Sequence, residues 1–176
     1  SDFEMDFRRG HITTIFGPNG CGKSTLINMV AGLLPMDAGA ARFDGKVLSE
    51  TTIGYVFQNY RDALFPWMTA RANIEYPLRI LRQGKAAREQ RVKELVEALE
   101  ISFDLDLHPY NLSGGQQQLV SIMRALASKP EVLFLDEPTA GLSPRLIDET
   151  FERIKGINEL GIGVLMVEQN ARQALA

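Results

Sequence analysis

Two rhythms of apolar and polar positions run along the chain. In the first, short apolar runs at residues 12–16, 52–57, 132–135 and 163–167 have the length of strands, and each gives way to glycine or a polar residue. A continuous run such as Val132-Leu133-Phe134-Leu135 predicts a strand of a parallel sheet, buried on both faces. In the second rhythm, apolar residues recur every three or four positions. On this ground residues 26–33, 114–128 and about 144–158 predict helices, with Ser113 placed as the cap of the second. Residues 70–100 predict a helical insertion. Ile74, Leu78 and Leu81 form one apolar set and Val92, Leu95, Val96 and Leu99 another, with the charged stretch 82–91 around Gly84 as a solvated face between them. Weaker signals fill the gaps. Phe3-Glu4-Met5-Asp6-Phe7 alternates like a half-buried strand, and residues 8–11 turn it back as a hairpin into the next strand. Pro35-Met36-Asp37-Ala38-Gly39 breaks the first helix, after which 41–46 and 52–57 predict two more strands around a turn. The alternation of strands and helices predicts an α/β fold with a mostly parallel sheet, an antiparallel edge and a helical insertion.

Composition adds exclusions. At 176 residues, 45% apolar and 23% charged, the chain is one ordinary domain, long enough to hide roughly 70% of its unfolded surface. The formal charge is −3, from 19 basic and 22 acidic side chains. No broad basic surface for nucleic acid is expected, so phosphate affinity must be local. No apolar run approaches the roughly 18 residues of a membrane span, and the first residues do not read as a signal peptide. Contact with a membrane is therefore expected through a partner. The single cysteine, Cys21, rules out an internal disulfide and suits a reducing cytoplasm. Two readings of it stand: a small filler of its loop, or a thiol activated by a helix N-terminus.

The chemistry concentrates where the first strand meets the first helix. Gly17-Pro18-Asn19-Gly20-Cys21-Gly22-Lys23-Ser24-Thr25 fits G-x-x-x-x-G-K-[ST] in the strand-to-helix context that the pattern needs. Glycines let the backbone curl until successive N–H groups point into one concavity, and the helix N-terminus adds positive potential. Such a loop binds phosphates. Lys23 is expected to reach the β- and γ-phosphates, the Ser24 hydroxyl to ligate Mg²⁺, and Thr25 to lie near the α-phosphate.

Three further signals follow in fixed order: Gln58 after a strand, then Leu112-Ser113-Gly114-Gly115-Gln116, then the apolar strand ending in Asp136-Glu137-Pro138. Together with the phosphate loop they resemble the nucleotide-binding subunit of ATP-binding cassette (ABC) transporters of importer type, over essentially the whole chain. The resemblance implies a P-loop NTPase core, residues 1–58 and 129–176, and a helical lobe, 59–128, that carries the signature turn. It implies ATP and Mg²⁺ as cofactors and ATP hydrolysis to ADP and phosphate coupled to transport. Asp136 and Gln58, with Ser24, would serve the metal; Glu137 would be the general base, and Gln58 a γ-phosphate sensor. Ser113, Gly114, Gly115 and Gln116 would close on ATP held by the phosphate loop of a second subunit, packed head to tail. That second subunit is a copy of this chain or a paralogue. Transmembrane permease subunits and a solute-binding protein complete the implied system, with this chain peripheral on the cytoplasmic face of the membrane. Leu64-Phe65-Pro66-Trp67-Met68-Thr69 resembles the segment that faces the permease; Phe65 and Trp67 equally suit the core of the helical lobe.

Some positions depart from the family pattern. Gln169, in Glu168-Gln169-Asn170, stands where histidine is usual; glutamine can still donate a hydrogen bond toward the γ-phosphate, a weaker sensor that cannot carry a proton. Ser143 replaces a common aspartate, and Leu119 stands where arginine often follows the signature. Residues 140–144 and 168–170, with Leu119, look like branched-chain amino-acid importers, whereas 57–78 look like nitrate, sulfonate or taurine importers. The solute stays open between these. The aromatic residue that stacks on adenine in the family has no counterpart, since Phe3 lies too near Gly17, and the last residues stop in a helix start. A chain trimmed at both ends, with weak and unselective nucleotide binding, is expected.

Overall fold

The computed structural model describes residues 5, 7 and 10–169. The expected strand at 3–7, its hairpin and the helix start after 169 lie outside the described residues.

Four parallel strands form the central sheet, β1 (Ile12–Phe16), β4 (Ile53–Val56), β5 (Val132–Asp136) and β6 (Gly163–Glu168), in the order β1-β6-β5-β4. Alternation along the two inner strands divides the core. Leu133, Leu135, Val164 and Met166 join one apolar cluster, with residues of the helices α3 (Ala70–Ile80), α4 (Lys85–Ala98), α5 (Gly114–Ala127) and α6 (Pro144–Glu159). Phe134, Leu165 and Val167 join a second, with Ile27 and Ala31 of α1 (Lys23–Val30) and the residue after it. Strand side chains point to alternate faces, so one continuous apolar run serves both clusters.

The expected antiparallel part is present, but it stands apart from the main sheet. Residues 41–57 give three strands. Arg42–Phe43 (β2) and Lys46–Val47 (β3) close on a two-residue turn, Asp44 and Gly45, both with positive φ (50° and 77°), as a primed hairpin turn requires. This hairpin is a separate two-stranded antiparallel sheet. A 3₁₀ turn, Leu48–Glu50, then leads to β4, which pairs in parallel with β5. Helix α1 also begins earlier than its apolar spacing suggests and ends earlier. Gly32, at φ 72°, closes it: its N–H bonds Met29 O and that of Leu33 bonds Asn28 O, the Schellman arrangement, which leaves Leu33 and Leu34 exposed.

The insertion is two helices, broken where Arg82 takes φ 55° and Gly84 caps α4. The short helix α2 (Tyr60–Ala63) and α3 pack on α5. Helix α5 lies directly on β4. A Cβ at Gly54 would meet the Ala125 carbonyl oxygen at 2.7 Å, so the close approach requires glycine there. The same contact sets the signature helix against the strand that delivers Gln58.

Candidate functional site

The carboxyl ends of β1, β4, β5 and β6 release, in turn, the phosphate loop, Gln58, Asp136-Glu137 and Gln169. Parallel strands put all four at one edge of the sheet, where α/β proteins place ligands. They surround an open cleft of about 340 Å³, lined by Asn19, Gly20 and residues 22–25 on one side and by Gln58, Glu137 and Gln169 on the other.

Gly20 and Gly22 both take left-handed backbone, φ 79° and 94°, and Gly22 is the N-cap of α1. Lys23 is buried and donates to the carbonyls of Gly17 (2.8 Å) and Pro18 (3.1 Å), so its ammonium is folded across the mouth of the loop. Cys21 is exposed and does not line the cleft. Its Sγ lies 2.7 Å from where a Gly17 Cβ would stand, the position of a filler.

Ser24 Oγ donates to Asp136 Oδ1 at 2.9 Å, joining the first turn of α1 to the end of β5. Burial pushes the Asp136 carboxyl up, and neighbouring Glu137 adds to this; the hydrogen bond from Ser24, the nearby Tyr55 hydroxyl and the charge of Lys23 pull it down. Behind it, the Tyr55 hydroxyl donates to Asn28 Oδ1 at 2.6 Å and lies beside Asp136; burial and that carboxylate raise the phenol well above its usual range. Hydroxyl and carboxylate oxygens side by side are the hard donors that suit Mg²⁺. Among the described residues no group of three or more His, Cys, Asp or Glu could hold a metal on its own. A pair of protein oxygens plus substrate phosphates fits an ion that keeps several waters.

Glu137 is buried and held from two sides. Gln58 Nε2 donates to its Oε2 at 2.8 Å, and Gln169 Nε2 to Oε2 and Oε1 at 3.1 and 3.3 Å. Its backbone takes φ 46°, a left-handed conformation uncommon outside glycine. With both amides committed to Glu137, the carbonyl oxygens of Gln58 and Gln169 remain as acceptors for water or a metal.

The signature turn lies apart, since none of Ser113, Gly114, Gly115 or Gln116 lines the cleft. Ser113 and Gln116 form a capping box, Ser113 N to Gln116 Oε1 at 2.8 Å and Gln116 N to Ser113 Oγ at 3.3 Å. Gln117 Nε2 ties the preceding 3₁₀ turn to α5 through Pro109 O and Leu112 O. Gly114 faces Tyr60 and Arg61, and Gly115 faces Leu146.

The two aromatic residues of the segment 64–69 differ in burial. Phe65 is half-buried against Tyr76, with the Arg124 guanidinium over its ring, whereas Trp67 is 70% exposed. The turn is pinned by Asn73, wholly buried, whose Oδ1 accepts from Phe65 N and whose Nδ2 donates to Phe65 O, Met68 O and Thr69 O.

Sequence reasoning overlooked Asn28, Tyr55, Asn73 and the contact of Thr139 with Glu168. Asn28 had a signal: it lies four residues after Ser24, on the same helix face. Asn73 had another, a polar residue beside Ile74 inside an apolar stripe. Nothing local marks the Thr139 contact.

A family model described as ABC transporter matches residues 1–140. The chain is 40% identical to the sulfate/thiosulfate import ATP-binding protein CysA 2 of Chromobacterium violaceum, an alignment that covers 98% of this chain and 48% of that protein. It is 38% identical to the spermidine/putrescine import ATP-binding protein PotA of the same organism, over 100% of this chain and 50% of that one. The chain thus spans about half the length of these curated relatives. Among solved structures, cbiO1 of Clostridium perfringens, described as part of an ABC transporter complex, superposes with a TM-score of 0.86 at 32% identity, over 94% of this chain and 70% of that one. The dimeric bacterial ABC transporter cassette MJ0796 does so with 0.83 at 30% identity, over 97% and 80%. A four-stranded parallel sheet, a phosphate loop that meets an acidic strand end, a separate signature helix and these likenesses lead to one assignment: the chain belongs to the ABC transporter family, among its importer-type ATP-binding cassettes.

Proposed function

We propose that the chain is the ATP-binding and ATP-hydrolysing part of an ABC importer. The observation that carries this is Glu137, buried at the end of β5 and aimed into the phosphate cleft by Gln58 and Gln169, one residue from the Ser24–Asp136 pair. Residues of the phosphate loop, Gly17, Asn19, Gly20, Cys21, Gly22 and Thr25 among them, hold ATP through backbone N–H groups, and Lys23 exchanges its loop carbonyls for phosphate oxygens. Ser24 and Asp136 hold Mg²⁺, with Gln58 Oε1 as a further ligand; when bound, the ion neutralises charge on the phosphates. Glu137 accepts a proton from the attacking water, which Gln58 and Gln169 orient. Ser113, Gly114 and Gly115 supply donors to the γ-phosphate held by a second subunit, with Gln116 locking the turn they sit on.

Support for the sandwich comes from two features: the signature turn lies off its own chain's cleft, and a related cassette of known structure is dimeric. The residues 59–128 act as the lobe that meets the permease, with exposed Trp67 on the contact face. No described helix is long and apolar enough to cross a membrane. The proposed contact with the permease would hold the chain peripherally, at the cytoplasmic face. The solute proposed is a small oxyanion or an amino acid, in keeping with the importer likenesses of 57–78 and of the tail; it would be delivered by a solute-binding protein.

The test is Mg-ATP hydrolysis as a function of protein concentration, in the wild type and Glu137→Gln. Specific activity should climb with concentration, and the variant should bind ATP and dimerise without turnover. ATP binding with neither hydrolysis nor dimerisation in either protein would overturn the proposal.

A further inference from the structure

Glu168 has no part in the chemistry above, yet it is a carboxylic acid only 4% exposed at the end of an inner strand. Burying an ionisable group is costly unless it is well bonded. Its Oε1 accepts from both the N–H (3.2 Å) and the hydroxyl (2.8 Å) of Thr139, itself 6% exposed. Thr139 lies two residues beyond Glu137. The loop it belongs to is otherwise fixed by few contacts: Glu137 N to Val167 O, Ala140 N to Glu137 O and Leu142 N to Thr139 O.

Within that loop Glu137 occupies its left-handed conformation. Such a backbone is unfavourable for a side-chain-bearing residue and persists only where its surroundings over-determine it. Two crossings from the loop after β5 to the end of β6 do so. The Glu137 N–H to Val167 bond fixes the near side of the residue, and the double bond from Thr139 to Glu168 fixes the far side. Relaxed toward right-handed backbone, Glu137 would swing its carboxylate away from Gln58 and Gln169.

We propose that Glu168 is a positioning residue for hydrolysis. It clasps the loop after β5 through Thr139, and so holds Glu137 in the backbone conformation that presents its carboxylate to the cleft and keeps Gln169 in register with it. The inference rests on Glu137 being the base, as proposed above. It predicts that the clasp needs an oxygen acceptor but no charge.

The test compares Glu168→Ala, Glu168→Gln, Thr139→Val and Glu168→Ala/Thr139→Val in the full chain. In Glu168→Ala kcat should fall about tenfold, the worth of a lost buried hydrogen bond, with KM and ATP affinity within twofold of wild type. Glu168→Gln, which retains a carbonyl acceptor, should stay within twofold in kcat. The double variant should be no worse than the single one, since both break the same clasp. Unchanged kcat in Glu168→Ala, or equal losses in Glu168→Ala and Glu168→Gln, would overturn the idea. Amide hydrogen exchange of residues 137–142 gives a readout independent of turnover: protection at Thr139 should drop about tenfold in Glu168→Ala and survive in Glu168→Gln. If protection follows that pattern while the wild type does not hydrolyse ATP, the clasp stands and the assignment of Glu137 fails. Protection that is the same in all variants removes the clasp itself.

Discussion

The cleft and the signature turn both set glycines at a helix N-terminus, but they are assembled in opposite ways. The cleft is made of bonds between distant residues, Ser24 with Asp136, Gln58 and Gln169 with Glu137, Thr139 with Glu168. Each joins elements that only the sheet brings together, so the geometry exists only when the sheet does. The signature turn is made of bonds within a few residues, Ser113 with Gln116 and Gln117 with Pro109 and Leu112. It is rigid by itself and is carried as a unit on α5. A site that depends on the whole sheet can do chemistry, whereas a self-contained turn can be presented to another molecule. The difference suggests that one chain supplies two half-sites that its own fold does not unite.

The sharpest way to break that comparison is to disable one half in each of two chains and mix them. Alone, Lys23→Ala and Glu137→Gln should each lose about 10²- to 10⁴-fold in kcat, the range for a phosphate-charge or base function. Ser113→Glu, which sets a negative charge where the partner's γ-phosphate would lie, should also abolish turnover while leaving the cleft intact. In a mixture of Lys23→Ala and Ser113→Glu, half of the dimers carry one site with both halves sound, restoring about a quarter of wild-type activity by the symmetry of a head-to-tail pair. No recovery on mixing would mean that each chain is self-sufficient, and the half-site reading would fall.

How far each region could be read from sequence follows from the same contrast. Contiguous patterns were legible: the phosphate loop, the capping box Ser113–Gln116 and the strand that ends in Asp136-Glu137 all announce themselves within about nine residues. The sheet was legible because apolar runs of strand length alternate with helices. The hairpin at 42–47 was not read as two strands, because two-residue strands lack room for a period, and only Asp44-Gly45 marks their turn. Contacts that exist only across strands were invisible. Nothing near Thr139 forecasts a carboxylate at 168, and Tyr55 reads as one more aromatic in a strand until its hydroxyl is found against Asn28.

A smaller pair of effects separates rigid placement from presentation in the segment 64–69. Asn73→Ala strips partners from Phe65 N–H and three carbonyls and should destabilise the fold by about 3 kcal/mol, read from urea unfolding. Trp67→Ala, at a largely exposed residue, should stay within about 0.5 kcal/mol in the same assay and leave hydrolysis by the chain unchanged. Its loss should appear only as failure to assemble with the permease. Normal assembly of Trp67→Ala would return this tryptophan to an ordinary surface residue.

The least effect expected concerns the cost of keeping Glu168 inside the sheet-bound half. Burial, the largest influence on it, raises the carboxyl above the ordinary glutamate value, against the hydrogen bonds from Thr139 and the nearby Gln169 N–H, and the nearby Glu137 charge adds to the rise. The folded chain therefore holds this proton more tightly than the unfolded chain does. The stability linked to the group is fully present below the unfolded-state value, near 4.5, and is lost as pH rises through the higher folded-state value. Glutamine at 168 does not titrate and keeps an acceptor for Thr139, so Glu168→Gln escapes that loss. Asp136 is also raised by burial, but it is present in both proteins and cancels in the comparison. Urea midpoints measured from pH 4.5 toward neutrality should move in favour of the variant. A gap that stays constant with pH would mean that the carboxylate is as well solvated in the fold as outside it, and the cost assigned to its burial would vanish.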